Sequence, residues 1–296
     1  MSSETSPSSN RSGYLAALVV ICCWSGFNIV SRLAGRSVLT PFDIAALRFC
    51  VAGLILLPLF VRTVRDSDRS TLFQYLVIAC LGSLGYALPV YNGFALAPAA
   101  HAGVLVNGGI PLATALLAWI VFGQRPRGWG AFALIVAVAG IVMIGLQSFT
   151  LDGGNQWIGD LFFVGGAASW ALAGLLMRRW RLKPIPTVAM MNGLAAILYL
   201  PVYAACLPSH LFEAPLNAVL LQGVYQGFIA AIIAGIFYNH ANLTIGPQKA
   251  SLMLALVPGI TAVAAVPMLG ESLTMLAIFG VLLVTAGAIL GAVQRG

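Results

Sequence analysis

Long apolar runs, separated by brief polar breaks, occupy the chain from residue 14 to residue 293. A helix that crosses a bilayer needs about 20 mostly apolar residues. Ten runs meet that length, at approximately 14–34, 43–61, 72–94, 99–123, 128–146, 158–178, 187–207, 215–239, 247–269 and 273–293. The runs are continuous rather than alternating, which argues for helices and against a transmembrane barrel. The pattern predicts an all-α integral membrane protein with ten transmembrane helices and short connections. The polar, serine-rich stretch 1–13 has no cleavable signal layout and is expected to be a disordered cytoplasmic tail.

Composition narrows the class. Charged residues make up 8% of the chain, hydrophobic ones 60%, and the mean hydropathy is +0.97. A soluble domain carries roughly 25% charged residues, so a water-soluble enzyme and a nucleic-acid binder are both excluded. The excess of basic residues then reads as topology. With a cytoplasmic N-terminus, twelve basic residues fall inside: Arg11, Arg62, Arg65, Arg69, Arg125, Arg127, Arg178, Arg179, Arg181, Lys183, Lys249 and Arg295. Only Arg32, Arg36 and Arg48 fall outside or in the outer part of a span. This is the positive-inside pattern, and it predicts a multi-pass protein of the cell (inner) membrane with both termini cytoplasmic. The five cysteines, at 22, 23, 50, 80 and 206, lie in apolar runs without metal-ligand spacing. They read as small apolar side chains, and neither a metal nor another cofactor is expected.

The second half of the chain repeats the first. At a shift of 147, Pro111 falls on Pro258, Thr114 on Thr261, Gly123-Gln124 on Gly270-Glu271, and Gly140 on Gly287. At a shift of 146, Trp24 falls on Trp170. Each half, 14–146 and 158–293, holds five spans. An odd number makes the second half enter the membrane from the opposite side, so the expected architecture is two inverted five-helix repeats. Inverted repeats are common in secondary transporters, with a substrate site near the midplane between the halves.

The motifs that carry this organisation are "WSGFNIVSR" (24–32), "LRFCVAGLILLP" (47–58), "IPLATALLAWIVFGQ" (110–124) and "VPGITAVAAVPMLGE" (257–271). Together they resemble the EamA-type branch of the drug/metabolite transporter superfamily, over nearly the whole chain. Within that branch the chain most resembles the YddG-type aromatic amino-acid exporters. The resemblance implies export of small metabolites, commonly amino acids. One departure is Gln124, where the family usually carries Glu.

Candidate substrate contacts follow from polar and aromatic positions inside the spans. Trp24, Phe27, Asn28 and Ser31 share one helix face, which should look into protein or a cavity because polar groups facing lipid are costly. Tyr86 and Tyr91 flank Pro89 but lie about 140° apart on an ideal helix, so only a bend would aim both at one cavity. Asn107, Trp170, Tyr225 and Gln226 complete the candidate substrate set. Pro111 and Pro258 are candidate hinges, each with a threonine (Thr114, Thr261) positioned to bond a carbonyl near the kink. Tyr238 and Asn239 are candidate gate residues at the cytoplasmic end of the eighth span. His101 and Lys249 are candidate charge contacts for a carboxylate, although snorkelling also accounts for Lys249. Arg48 is expected to be structural, pairing with Asp43 or with helix carbonyls.

What is missing also informs. No acidic residue lies deep in a span; Asp43, Asp160 and Glu271 sit at helix ends. A proton-coupled exporter of cations needs a buried carboxylate. The expectation is therefore a carrier for neutral or zwitterionic small molecules, foremost aromatic and other neutral amino acids. It would work by alternating access and facilitated diffusion, with the lipid bilayer as its surroundings and no nucleic-acid partner. A single chain suffices for a pathway, so a monomer is expected. Two alternatives stay open: a proton-coupled exporter of another metabolite or drug, and, more remotely, an integral-membrane enzyme. Against an enzyme, the chain has no HExxH, GxSxG or Walker A run.

Overall fold

A computed structural model of the chain describes residues 7–126, 128–150 and 154–293. Its helices are α1 (Pro7–Gly35), α2 (Pro41–Ile55), α3 (Leu57–Asp66), α4 (Arg69–Leu96), α5 (Ala99–Phe122) and α6 (Trp129–Thr150). There follow α7 (Gln156–Arg179), α8 (Pro184–Cys206), α9 (Leu216–Gly246), α10 (Lys249–Leu269) and α11 (Met275–Val293). Among the described residues there is no strand. Eight helices are long and apolar enough to cross a membrane, or nine if the bent pair α2–α3 is one span. Helix α11 is a shorter apolar helix. Large side chains such as Ile120, Ile135 and Val263 stay 69%, 65% and 70% exposed; an outer surface this apolar belongs against lipid.

Several helices differ from the runs read in the sequence. Helix α1 begins at Pro7, so residues 7–13, expected as tail, are helical; residues 1–6, Arg127 and Arg295 lie outside the described residues. The second run is not one straight span. Helices α2 and α3 meet at 69° around Leu56, where Pro58 opens α3 without an N–H to give to the preceding turn. Thr40 starts α2 with a capping box: its hydroxyl accepts from the Asp43 N–H (3.1 Å), and its own N–H donates to Asp43 Oδ2 (2.7 Å). The eighth run continues beyond residue 239 to Gly246, whose positive φ of 84° breaks it from α10. Tyr238, Asn239 and His240 therefore lie inside a helix and not at its end. Wider π-helical turns interrupt α4 (Ala79–Leu84), α5 (Gly103–Gly108) and α9 (Gly223–Ile233); such turns inside longer helices are often functional.

Small residues set the helix contacts. Gly140 of α6 faces Gly280 of α11, where an added Cβ would sit 2.7 Å from the Gly280 carbonyl oxygen. Gly287 of α11 faces Ala133 of α6, where a Cβ would sit 2.8 Å from the Ala133 oxygen. These contacts are one contact seen twice, because the shift of 147 carries 140 to 287 and 133 to 280. The helix neighbours show the same relation. Helix α1 packs on α9 and α4 on α7; α5 packs on α7 and α1 on α10; α2 packs on α9 and α8 on α4. The pairs α6–α11, α2–α8 and α5–α10 complete the set. Exchanging the two halves leaves these pairs unchanged.

Candidate functional site

The two ends of the helix assembly are built differently. At one end, Glu271 follows the C-terminus of α10 and is buried. Its Oε1 accepts from Arg32 Nε (3.0 Å) and Arg36 Nη2 (3.1 Å), and its Oε2 accepts from the Ala99 N–H (3.0 Å). Arg32 also donates to the Phe94 carbonyl (2.6 Å), and Arg36 to the Leu269 carbonyl (2.7 Å). One carboxylate thus ties α1, α5 and α10 together, and the Arg32 contact adds the end of α4. Below it, Asn28 Nδ2 donates to Thr261 Oγ1 (3.0 Å) and to Asn107 Oδ1 (2.9 Å), and Ser25 Oγ donates to the Val257 carbonyl (3.5 Å). The α1–α10 interface is closed along this line.

The same end holds the other two buried acids. Asp43 accepts from Thr40, Tyr203 and Ser209, and from the His210 N–H. Its expected pairing with Arg48 is absent: among the described residues it makes no ion pair. Asp160 lies 2.9 Å from His101 Nδ1 and accepts from the Ser148 hydroxyl. His101 is therefore engaged with Asp160 rather than facing open space.

At the other end, α5 and α7 part around a partly open cleft of about 140 Å³, lined by Ile110, Thr114, Trp170, Ala171, Gly174, Leu175 and Arg178. Arg178 is exposed at its edge, and among the described residues it makes no ion pair. The neighbouring Arg179 lies over the Phe122 ring, 5.5 Å from its centroid. From Trp170 an aromatic series leads inward. Trp170 meets Tyr86 at 5.1 Å between ring centroids, Tyr86 meets Phe27 at 6.5 Å, and Phe27 meets Phe94 at 5.9 Å.

The structure groups the candidate residues into three sets. Phe27, Tyr86 and Trp170 form the series beside the cleft, and Asn28 and Asn107 are bonded to each other. Tyr91, Gln226 and Tyr225 belong to the α1–α4–α9 contact. Tyr91 donates to Gln226 Oε1 (3.1 Å), Gln226 donates to Ser31 (3.0 Å), and the Tyr225 hydroxyl donates to the Cys23 carbonyl (3.3 Å) above Gly26. Phe27 touches Tyr91 as well as Tyr86, at 6.1 Å, yet the two tyrosines part toward α9 and α7, as their angular separation requires. The third set is Trp24 with Tyr238, ring centroids 5.5 Å apart, while Asn239 bonds only back along its own helix, to the Gly235 carbonyl.

The hinge candidates behave unequally. Thr114 donates to the Ile110 carbonyl beside Pro111 (2.8 Å), as expected, but Thr261 beside the buried Pro258 receives Asn28 from another helix. Lys249 is exposed, and among the described residues it has no ion pair. Arg48, read in the sequence as structural, is half-buried, and among the described residues it makes no ion pair. The role of Glu271 was not legible in the sequence, because its partners Arg32 and Ala99 are 239 and 172 positions away.

A helical bundle spanning a membrane, with one end tied shut and a cleft at the other, has the form of a membrane carrier. The chain belongs to the EamA-like transporter family, whose model matches residues 11–146 and 157–292. It is a multi-pass membrane transporter. It is 24% identical over 277 residues to "Uncharacterized transporter YyaM" of Bacillus subtilis (strain 168), covering 89% of this chain and 87% of that one. It is 25% identical over 299 residues to a "Probable amino-acid metabolite efflux pump" of Salmonella typhimurium, covering 94% of each. A solved crystal structure superposes with a TM-score of 0.65 at 20% identity, covering 97% of this chain and all of the other. That likeness speaks to the fold alone.

Proposed function

We propose that the protein exports aromatic and other neutral amino acids by alternating access, as a YddG-type carrier would. The observation that carries this reading is the cleft walled by Trp170, whose ring begins the packed Trp170–Tyr86–Phe27 series. Stacking an aromatic side chain against such walls adds about 0.5–1.5 kcal/mol to the gain from burial. Next to Phe27, Asn28 keeps one buried acceptor, Oδ1, with no hydrogen-bond donor among the described residues. The efflux-pump relative from Salmonella typhimurium supports the same substrate class.

In this reading the chain forms ten spans as two inverted repeats, 14–146 and 158–293, with both termini cytoplasmic in the inner membrane. The exchange symmetry of the helix neighbours and the basic-residue bias support it. The closed Glu271 end is then outside and the cleft opens to the cytoplasm, the side from which an exporter loads. Transport is facilitated diffusion by a monomer. The test is counterflow in proteoliposomes containing only this protein, with a panel of labelled amino acids. Accelerated exchange of phenylalanine is expected, and absence of exchange for every amino acid removes the substrate assignment.

A further inference from the structure

The cleft and the closed interface are counterparts. Shifts of 146 on α1/α7 and 147 on α5/α10 carry Trp170 to Trp24, Ala171 to Ser25, Gly174 to Asn28, Arg178 to Arg32, Ile110 to Val257 and Thr114 to Thr261. The cleft wall at one end is the sealed seam at the other. Along the seam, Ser25 bonds the Val257 carbonyl, Asn28 bonds Thr261 and Arg32 bonds Glu271. In the cleft the matching side chains are Ala171 and Gly174, which have nothing to donate, and Arg178; the position matching Glu271 is Gln124.

The last substitution is the informative one, because the backbone there is the same twice. The Gly123 and Gly270 N–H groups close the helix ends on Trp119 and Val266, and both glycines have positive φ, 67° and 64°. The next N–H, of Gln124 or Glu271, donates to Ala118 or Ala265. Two side chains thus leave equivalent points of equivalent caps. One is a buried carboxylate under two guanidinium groups; the other is an exposed neutral amide.

We propose that the α5–α7 cleft is a carboxylate-binding site whose cation is Arg178, and that its occupant supplies the negative charge this end lacks. The apolar wall of Ile110, Trp170 and Leu175 takes the body of the ligand, and Arg178 takes its carboxylate. An occupied cleft then has what the seam has: a carboxylate under an arginine between helices. The cleft closes more readily when loaded than when empty, so the loaded carrier crosses faster than the empty one returns. The ligand class is a monocarboxylate on an apolar body. This rests on the transporter reading above and narrows it to the group recognised at the mouth.

The test reads cleft closure directly. Gly174→Cys is placed in protein whose five native cysteines are replaced, purified in detergent, and reacted with a maleimide. Saturating 3-phenylpropionate should slow the reaction about tenfold, the factor by which the open population falls. Phenethylamine, with an aromatic body but no carboxylate, should leave the rate unchanged. Arg178→Gln should abolish the protection and Arg178→Lys should keep part of it. Gln124→Glu should slow the reaction without any ligand, since the protein then carries its own carboxylate.

An unchanged rate with 3-phenylpropionate, or equal protection by phenethylamine, overturns the site. Phenylalanine counterflow without protection by 3-phenylpropionate removes the site and leaves the proposed function standing. Protection by 3-phenylpropionate without counterflow or protection by any amino acid does the reverse.

Discussion

Glu271 shows how much one side chain holds. It is almost wholly buried, and three donors from two helices fix it: Arg32, Arg36 and the Ala99 N–H. Losing one partner of a buried pair costs about 3–5 kcal/mol, because the other charge is left uncompensated. Glu271→Gln should therefore lower the unfolding temperature in detergent clearly and speed maleimide labelling of Ser25→Cys on the adjoining seam. The pair Arg62–Asp66 is the contrast. Both groups are largely exposed, 81% and 69%, at 3.7 Å, and such pairs contribute about 0–1 kcal/mol. Asp66→Asn should leave the unfolding temperature where it is; similar losses for the two variants would refute the assignment of Glu271. Trp24 belongs at this scale too. It meets Tyr238 rather than the Trp170 series, yet it is the repeat partner of Trp170 and would line the cleft's counterpart when the other end opens. Trp24→Ala should reduce phenylalanine flux more than threonine flux at unchanged protein abundance. Equal loss for both solutes would make it a packing residue.

At the scale of elements, the sequence was most informative where a repeat exposes the constraint. Gly140 and Gly287 stand out only because they fall on each other at the shift of 147, and the structure places both at backbone contact between α6 and α11. Gly140→Ala and Gly287→Ala should destabilise by similar amounts, about 1–3 kcal/mol each, as overpacking does. Gly145→Ala, with nothing within 4 Å of the added Cβ, should be tolerated, as thermal unfolding of the three variants would show. The apolar runs located the helices to within a few residues, except at the start of α1, which takes in residues 7–13, and where local geometry overrides hydropathy. The 69° turn at Leu56, the π-helical stretches and the extension of α9 to Gly246 all lie inside continuous apolar sequence. A run of apolar residues carries no mark of where its hydrogen-bond pattern changes. The Asp43 pairing expected for Arg48 is absent, because Asp43 is taken by Thr40, Tyr203, Ser209 and the His210 N–H.

For the whole molecule, the placement of acids decides how transport is driven. Among the described residues the three buried carboxylates, Asp43, Asp160 and Glu271, all lie at the closed end, and each is held by several donors. None lines the cleft, whose only charged residue is Arg178. A proton-coupled exporter needs a carboxylate that meets substrate and proton in turn, and here the acids are committed to holding helices together. The exchange of neighbours between the halves fits the alternating access proposed above, in which two arrangements of similar energy interconvert without an external driving force. Carriage should then run down the solute gradient alone. In proteoliposomes, downhill phenylalanine efflux should be unchanged when an ionophore collapses a proton gradient, because no step at the cleft consumes a proton. His101 and Lys249 are the groups that offer a different route, and the Nε2 of His101 is buried without a partner among the described residues. His101→Gln should therefore leave the pH dependence of downhill flux as it is, while loosening the Asp160 contact enough to lower stability. Uptake against the phenylalanine gradient under an imposed pH difference alone, abolished in His101→Gln, would instead make that histidine the proton carrier and overturn facilitated diffusion.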